Sequence, residues 1–290
     1  MTTSSPQVDY TQEVRFAVVM YGGVSLAIYI NGIAQELLRL VRSTASDPAG
    51  DGALLLDDIE ALGSESASTR ILGRTERVYR KLSYLLADEA LLSNYRQFLE
   101  RKQPLDQDPL EQAVCSNTQL INTGFIVDIL SGTSAGGINA IYLAKALAND
   151  QMIDQLKELW INEGDIGLLL NDKKSVAGLQ LSNQKPPLSL LNSRRMYKKL
   201  LQSLDDMERA NPSKDRFQSP YVDELDLFIT TTDIEGVPLP LRLLDTVVYE
   251  RRHRNVLHFK YAKAEATGED WNNFTTNMMP GPRPDEQHPS

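Results

Sequence analysis

The chain has 290 residues, which exceeds the usual length of one small domain and suits a single large α/β domain with insertions. Apolar residues make up 41% of the sequence, and this share allows a sizeable core. The net charge of −9 argues against nucleic acid as a partner and against tight electrostatic docking to anionic lipid. The one cysteine, Cys115, excludes an intramolecular disulfide framework and favours a cytoplasmic location.

The first uncharged segment of the chain follows a polar N-terminus. Residues 1–12 are expected to be flexible. Residues 16–35 carry no charge over about the length that spans a bilayer. Glycines and polar side chains interrupt them, so they are interpreted as a buried strand, a turn at Gly22-Gly23 and a buried helix. A single membrane anchor is the alternative.

A polar insertion is predicted over residues 43–123. It contains helical spacing over residues 75–86, with Thr75 placed to cap the helix, and a second short helix near residues 92–100. The insertion therefore separates the first strand–turn–helix corner from the next one.

The second corner carries the strongest chemical signal. An apolar strand over residues 125–130 runs into a short glycine- and serine-rich turn, and helical spacing starts at Ile138. The turn reads Gly132-Thr133-Ser134-Ala135-Gly136. A serine on such a corner points its hydroxyl out of the sheet edge, and the two glycines remove Cβ atoms that would clash there. The pattern predicts Ser134 as a nucleophile; an ordinary strand-to-helix connector is the alternative.

Both corners are expected at the same edge of the sheet, because parallel strands present their ligand sites at their carboxyl ends. The backbone N–H groups of the first corner, and that of Ala135 at the start of the helix, would then face an oxyanion beside the serine. The order of Met20-Tyr21-Gly22-Gly23-Val24-Ser25 and then Gly132-Thr133-Ser134-Ala135-Gly136-Gly137 resembles the patatin-like phospholipase family, in its bacterial patatin-related branch.

The resemblance implies a fold and a chemistry. The fold is an α/β domain over residues 13–265 with three layers, in which a central, mostly parallel sheet is flanked by helices. The chemistry is a serine–aspartate dyad without histidine, an oxyanion hole at Gly22, Gly23 and Ala135, and neither cofactor nor metal. The implied substrates are phospholipids or other acyl esters, reached by peripheral contact with a membrane.

The sequence departs from the family pattern in two places. The first turn has only Gly22-Gly23, where many members carry three glycines and a basic residue. More seriously, no Asp-Gly-Gly or Asp-Gly-Ala motif follows Ser134, although the family's aspartate lies in such a motif. The chain is therefore expected to be the N-terminal part of a longer protein or a shortened member. Asp233, at the end of a predicted strand, is one candidate base, and a Ser-His-Asp triad with His253 or His258 is another.

The remaining segments are predicted as ordinary elements. Helices are expected over residues 151–160 and 193–204, the second capped by Ser193, and strands over 225–233, 237–241 and 255–261. Two basic clusters, at residues 194–199 and 251–254, are interpreted as solvated faces. Residues 266–290 are expected to form a disordered tail. Two functions remain open: a serine acyl hydrolase, and a patatin-like module that binds lipid or protein without turnover.

Overall fold

The computed structural model describes residues 12–45, 72–104, 107–115, 121–164, 166–170, 190–210, 219–263 and 274–276. The described strands are β1 (Gln12–Met20), β2 (Thr123–Thr133), β3 (Glu224–Arg242), β4 (Val247–Ala262) and β5 (Phe274–Thr276). The described helices are a 3-10 turn at Val24–Leu26 and α1 (Ala27–Thr44), α2 (Arg74–Ala87), α3 (Glu89–Glu100), α4 (Pro109–Cys115), α5 (Ala135–Asn149), α6 (Asp154–Glu163), α7 (Ile166–Leu169) and α8 (Ser193–Ala210).

The strands form one sheet in the order β1-β2-β3-β4-β5. Strands β2 and β3 pair in parallel, with Thr133 opposite Thr230 at the carboxyl end of β2. Strand β3 then turns back into β4, and β4 pairs with β5, both antiparallel. The predicted α/β class is confirmed, with an antiparallel extension on the side of β3 away from β2.

Residues 16–35 fold as the end of β1, the glycine turn and the first half of α1, so the predicted strand, turn and helix are confirmed. The expected burial was wrong. Most of β1 is exposed, and Met20 is its one buried residue. Helix α1 is amphipathic, with Ala34, Leu38 and Val41 buried and Tyr29 exposed. None of the described helices is long and apolar enough to cross a bilayer.

At two helices the N-cap residue differs from the one predicted from the sequence. Helix α2 begins after Gly73, whose N–H donates to Glu76 Oε2 at 2.7 Å, so Thr75 lies inside the helix. Helix α8 begins at Ser193, but Asn192 Oδ1 accepts from the N–H of Arg195 at 3.1 Å and supplies the cap. In each case the N-cap residue precedes the predicted one.

The chain divides into two compact units, of which the first comprises residues 1–16 and 36–127. Arg80 of α2 is fully buried in this unit. The guanidinium donates to the carbonyl oxygens of Ser43 and Ala45 at 3.0 and 3.1 Å, and to the hydroxyl of Tyr84 at 2.8 Å. These bonds satisfy a buried cation and hold the end of α1 against α2.

The second unit comprises residues 17–35 and 128–290 and has α5 at its core. Leu143 and Leu147 of α5 are fully buried, and the helix is apolar on nearly all sides. The hydroxyl of Tyr142 donates to Leu200 O at 3.0 Å, which ties α5 to α8. Burial raises the pKa of Tyr142 to about 12.

Two predictions from the sequence differ from the structure, and others concern residues that the structure does not describe. The strands predicted separately over residues 225–233 and 237–241 are one continuous strand, β3, with a register shift between Thr232 and Val237. Phe274–Thr276, inside the predicted tail, pair with β4. Residues 1–11, most of the tail, and residues 46–71 of the predicted insertion lie outside the described residues.

Candidate active site

The corner between β2 and α5 holds Ser134 in an unusual backbone conformation. Strand β2 ends at Thr133 and α5 begins at Ala135, with Ser134 between them at φ 55° and ψ −127°. Residues other than glycine rarely adopt positive φ, and holding one there costs on the order of 1–3 kcal/mol. The Ser134 side chain is exposed. The fold therefore presents a hydroxyl on a strained turn, which is the geometry expected of a nucleophile on such a corner.

Two glycines of the corner are required by close packing. A Cβ at Gly132 would lie 2.6 Å from Gly137 Cα and 2.7 Å from Gly136 O. A Cβ at Gly136 would lie only 2.2 Å from the carbonyl oxygen of Met20. Because both obstacles are backbone atoms, neither position has room for a side chain. The glycines of the motif let the start of α5 approach the end of β1.

The first glycine turn lies directly against the serine. A Cβ at Gly22 would lie 2.6 Å from Ser134 Cβ, 3.3 Å from Ser134 Oγ and 2.9 Å from Thr133 O. Gly23 has φ +143°, a conformation that side chains rarely adopt, and its carbonyl accepts from Leu26 N at 3.1 Å. The structure thus brings Gly22 to Ser134 across more than a hundred residues of sequence.

The start of α5 contributes further donors. The first helical bond runs from Ile138 N to Ser134 O at 3.1 Å. The N–H groups of the three preceding residues, beginning at Ala135, have no intrahelical acceptor, and the helix dipole favours negative charge at this end. An anion beside Ser134 would therefore meet a favourable field from the backbone.

A buried pair of asparagines joins the two corners. Asn139 Nδ2 donates to Ala135 O at 3.0 Å and to Ala27 O at 3.4 Å, in the first turns of α5 and α1. Asn31 Nδ2 donates to Asn139 Oδ1 at 3.3 Å, and Gln35 Nε2 donates to Asn31 Oδ1 at 2.9 Å. Sequence reasoning missed this role. Its signal was an asparagine in each of two otherwise apolar helical runs.

The carboxylate of Asp233 is not hydrogen-bonded to Ser134 Oγ. Thr230 is opposite Thr133, and the two hydroxyls are hydrogen-bonded; Asp233 follows three residues after Thr230 in β3. Its Oδ1 accepts from the N–H groups of Glu235 and Gly236 at 3.0 and 3.2 Å. The carboxylate therefore closes its own turn at the irregularity in β3.

Neither internal histidine is brought to Ser134. His253 packs over Gly236, and its Nδ1 lies 2.9 Å from Asp233 O. His258 Nε2 lies 2.6 Å from Asp226 Oδ1, and its ring stacks on Phe228 with centroids 4.3 Å apart. His258 is two strands from β2 and level with a residue three before the serine, so the two backbones are about 14 Å apart by strand spacing.

The described residues contain a corner serine with backbone donors but no hydrogen-bonded base. Across residues 12–45, 121–164 and 219–263, no carboxylate or imidazole is hydrogen-bonded to Ser134 Oγ. No group of three His, Cys, Asp or Glu side chains among the described residues could hold a metal ion. What the corner can do chemically is present a hydroxyl beside an anion-stabilising backbone.

A serine held at positive φ between a strand and a buried helix is typical of the nucleophile corner of α/β acyl hydrolases. Comparison with known proteins narrows this class. The sequence profile of the patatin-like phospholipase family matches residues 112–275, more than half of the chain, and this segment includes Ser134. The chain belongs to the patatin-like phospholipase family. The match begins after the Gly22-Gly23 turn.

One curated relative is the uncharacterized membrane protein Rv3479 of Mycobacterium tuberculosis, 28% identical over 233 residues. The similarity covers 80% of this chain but only 17% of the relative, so the chain spans less than a fifth of that protein's length. No solved structure matches the chain. Family membership supports a lipid-hydrolase type of function.

Proposed function

We propose that this chain is a serine acyl hydrolase that acts on phospholipids or other lipid esters through Ser134. The observation that carries the proposal is the conformation of Ser134, an exposed non-glycine residue at φ 55° between β2 and α5, with Gly22 packed against it. Such strain persists where the surrounding structure enforces it, and it is typical of functional corners.

In the proposed reaction, Ser134 Oγ attacks the ester carbonyl carbon, the alcohol leaves and water hydrolyses the resulting acyl-enzyme. The negative charge that develops on the carbonyl oxygen is stabilised by N–H groups at Gly22, Gly23 and Ala135. The Oγ proton passes to a base and then to the leaving alcohol. Asp233 is one candidate for this base, and its Oδ1 accepts two backbone N–H bonds in its own turn.

Apolar side chains around the first turn support an acyl-ester substrate. Tyr21 and Leu26 flank the two glycines and are exposed, as are Ile28 and Tyr29 in the first turn of α1. An acyl chain reaching Ser134 would find apolar surface on this side of the corner. Such a substrate comes from a membrane, and we propose peripheral contact with one.

The second candidate function is a patatin-like module that binds lipid or protein without turnover. It is favoured by one observation, the lack of a hydrogen-bonded base at Ser134 within the described residues. A serine hydroxyl without a base is a weak nucleophile. We therefore expect slow ester turnover by this 290-residue chain.

A comparison of the parent with Ser134→Ala separates the two candidates. Hydrolysis of a p-nitrophenyl ester above the buffer rate that disappears in the variant supports the hydrolase. Equal rates for parent and variant, with both proteins folded, contradict it and leave the binding module.

A further inference from the structure

Two buried asparagines occupy equivalent positions in α1 and α5. Asn31 is the fifth residue of α1, and Asn139 is the fifth residue of α5. Helix α1 follows the Gly22-Gly23 turn after a single 3-10 turn, and α5 follows Ser134 directly. Each asparagine therefore lies one turn inside a helix that starts at the candidate active site.

The hydrogen bonds of Asn139 determine the orientation of its amide. Its Nδ2 faces two carbonyl oxygens, Ala135 O at 3.0 Å and Ala27 O at 3.4 Å, and only an amino group can donate to both. The amide oxygen is thereby turned towards Asn31, whose Nδ2 donates to it at 3.3 Å. Gln35 Nε2 donates in turn to Asn31 Oδ1 at 2.9 Å. This chain of donors ends on one carbonyl oxygen in the first turn of each helix.

Hydrogen bonds fix the two helices more narrowly than apolar contacts would. Helix α5 is otherwise apolar on nearly all sides, and apolar side chains could pack it against α1 without burying amide groups. Packed apolar groups can slide by small amounts, whereas a hydrogen-bonded network specifies one arrangement of its members. The asparagines therefore add a defined position of one helix start relative to the other.

The backbone contacts at the two corners limit how closely they approach, but do not hold them together. A Cβ at Gly136 would lie 2.2 Å from Met20 O, so the two backbones are already in contact there. Such a contact resists compression, and the attraction between a few atom pairs resists separation only weakly. The bonds from Asn139 to Ala27 O and Ala135 O oppose separation. Contact and hydrogen bonds together set the distance between the corners from both sides.

We propose that Asn139 is a positioning residue for acyl transfer at Ser134, and that Asn31 acts through it. Asn139 holds the glycine turn against the serine corner, so that N–H groups from Gly22-Gly23 and from Ala135 point at one oxyanion. This inference rests on the proposed function, because a developing negative charge is what requires these donors to be aligned. Asn139 is buried and contacts the start of each helix, not the substrate.

The test is the reaction of Ser134 with a fluorophosphonate, followed over a range of probe concentrations to separate the maximal rate from the half-saturating concentration. Misplacement of reacting groups by about 1 Å costs on the order of a hundredfold in rate. We expect Asn139→Ala to lower the maximal rate at least about tenfold and to change the half-saturating concentration less than about twofold. The donors are aligned for the transition state, so their displacement affects the rate more than probe binding.

A second variant removes only the outer member of the network. Asn31→Ala leaves the bonds of Asn139 to the two carbonyl oxygens and should show a smaller loss of maximal rate. The double variant should react within about twofold of Asn139→Ala, because Asn31 acts only through Asn139. If Asn139→Ala does not fold, Asn31→Ala carries the test, and the parent's maximal rate in this folded variant would overturn the proposal.

Asn122→Ala is the matched control. Asn122 is also fully buried, and its Nδ2 donates to Thr44 O at 3.0 Å. Thr44 is the last residue of α1, at the opposite end of the helix from the glycine turn. The control thus removes the same atoms and the same kind of bond. It should lower the free energy of unfolding as well, and should keep the parent's maximal rate.

Amide hydrogen exchange tests the positioning without ester or probe. The N–H of Leu26 donates to Gly23 O and the N–H of Ile138 donates to Ser134 O, both at 3.1 Å, and these bonds close the two corners. Both amides should exchange at least about tenfold faster in Asn139→Ala than in the parent, because the corners open locally. In Asn122→Ala both should exchange at the parent's rate.

Two results with the probe overturn the proposal. One is a folded Asn139→Ala protein that reacts at the parent's maximal rate. The other is an equal loss of rate in Asn122→Ala, which would show that lowered stability alone slows the reaction. Failure of the proposed function gives a different result, in which the folded parent reacts no faster than Ser134→Ala. Hydrogen exchange then still decides the role of Asn139: unchanged exchange at Leu26 and Ile138 overturns it, and faster exchange at both supports it.

Discussion

Adding one methyl group at Gly22 should disable the site while leaving the fold in place. In Gly22→Ala the new Cβ would lie 2.6 Å from Ser134 Cβ and 2.9 Å from Thr133 O. Carbon atoms in contact prefer about 3.5–4.0 Å, so the two corners must separate by about 1 Å. Neither obstacle is the free end of a flexible side chain. The turn itself has to move.

A shift of this size should lower the rate of ester hydrolysis strongly and the free energy of unfolding moderately. Misplacement of reacting groups by about 1 Å costs on the order of a hundredfold in rate. Overpacking costs about 1–3 kcal/mol in the free energy of unfolding. We therefore expect Gly22→Ala to fold, to unfold at lower urea concentration, and to lose at least about 99% of Ser134-dependent ester hydrolysis.

Gly32→Ala is the matched control, because it adds the same atom where nothing lies within 4 Å. Gly32 is exposed in the interior of α1, and alanine there should raise the free energy of unfolding by about 0.5–1 kcal/mol. The rate of ester hydrolysis should stay that of the parent. A folded Gly22→Ala protein with the parent's rate would refute the assignment of the first turn to the oxyanion site.

Three further variants test other parts of the site. The free energy of unfolding of Ser134→Gly should exceed that of Ser134→Ala by about 1 kcal/mol, since only glycine relieves the strain at φ 55°. Equal free energies of unfolding in a urea titration would contradict this strain. Asn139→Ala should cost about 1–3 kcal/mol in unfolding free energy, because it removes the side-chain bonds to Ala27 O and Ala135 O and leaves the buried Asn31 Nδ2 without its acceptor; a loss below about 0.5 kcal/mol would contradict the bridging role. Burial raises the pKa of Tyr142 to about 12 against about 10 in an unfolded chain, so its contribution to stability is complete below pH 10 and is lost as pH rises towards 12. Tyr142→Phe should show a smaller fall in stability over that pH window, and parallel curves would argue against the shift.

Local signals made the serine corner predictable. Within sixteen residues, 125–140, an apolar run of strand length is followed by a glycine–serine turn and then by helical spacing. Each pattern predicts the backbone conformation of its segment from neighbouring residues alone. The contact between Gly22 and Ser134 was inferred from the parallel-sheet rule rather than from the residues alone. The caps were missed because the N-cap residues, Gly73 and Asn192, each lie before the predicted one: Asn192 Oδ1 caps α8, and at α2 Glu76 Oε2 accepts from the N–H of Gly73.

Long-range features could not be predicted from the sequence. Nothing in the spacing of Asn31 and Asn139 indicates that their side chains meet, because 108 residues separate them. Because of the irregularity at residues 233–236, the sequence also predicted two strands where β3 is one continuous strand. Asp233 and Gly236 have the composition of a turn, and the chain uses them for a bulge held by Asp233 Oδ1 while the pairing with β4 resumes beyond it.

The identity of the residue that reacts with an acylating agent tests the central claim most directly. The parent chain is treated with a fluorophosphonate, digested, and searched by mass spectrometry for the modified serine. We predict a single adduct on Ser134, formed more slowly in Gly22→Ala and at the parent's rate in Gly32→Ala. An adduct on another serine, or no adduct on the folded parent under conditions that label a known serine hydrolase, would contradict the proposal that Ser134 is the nucleophile.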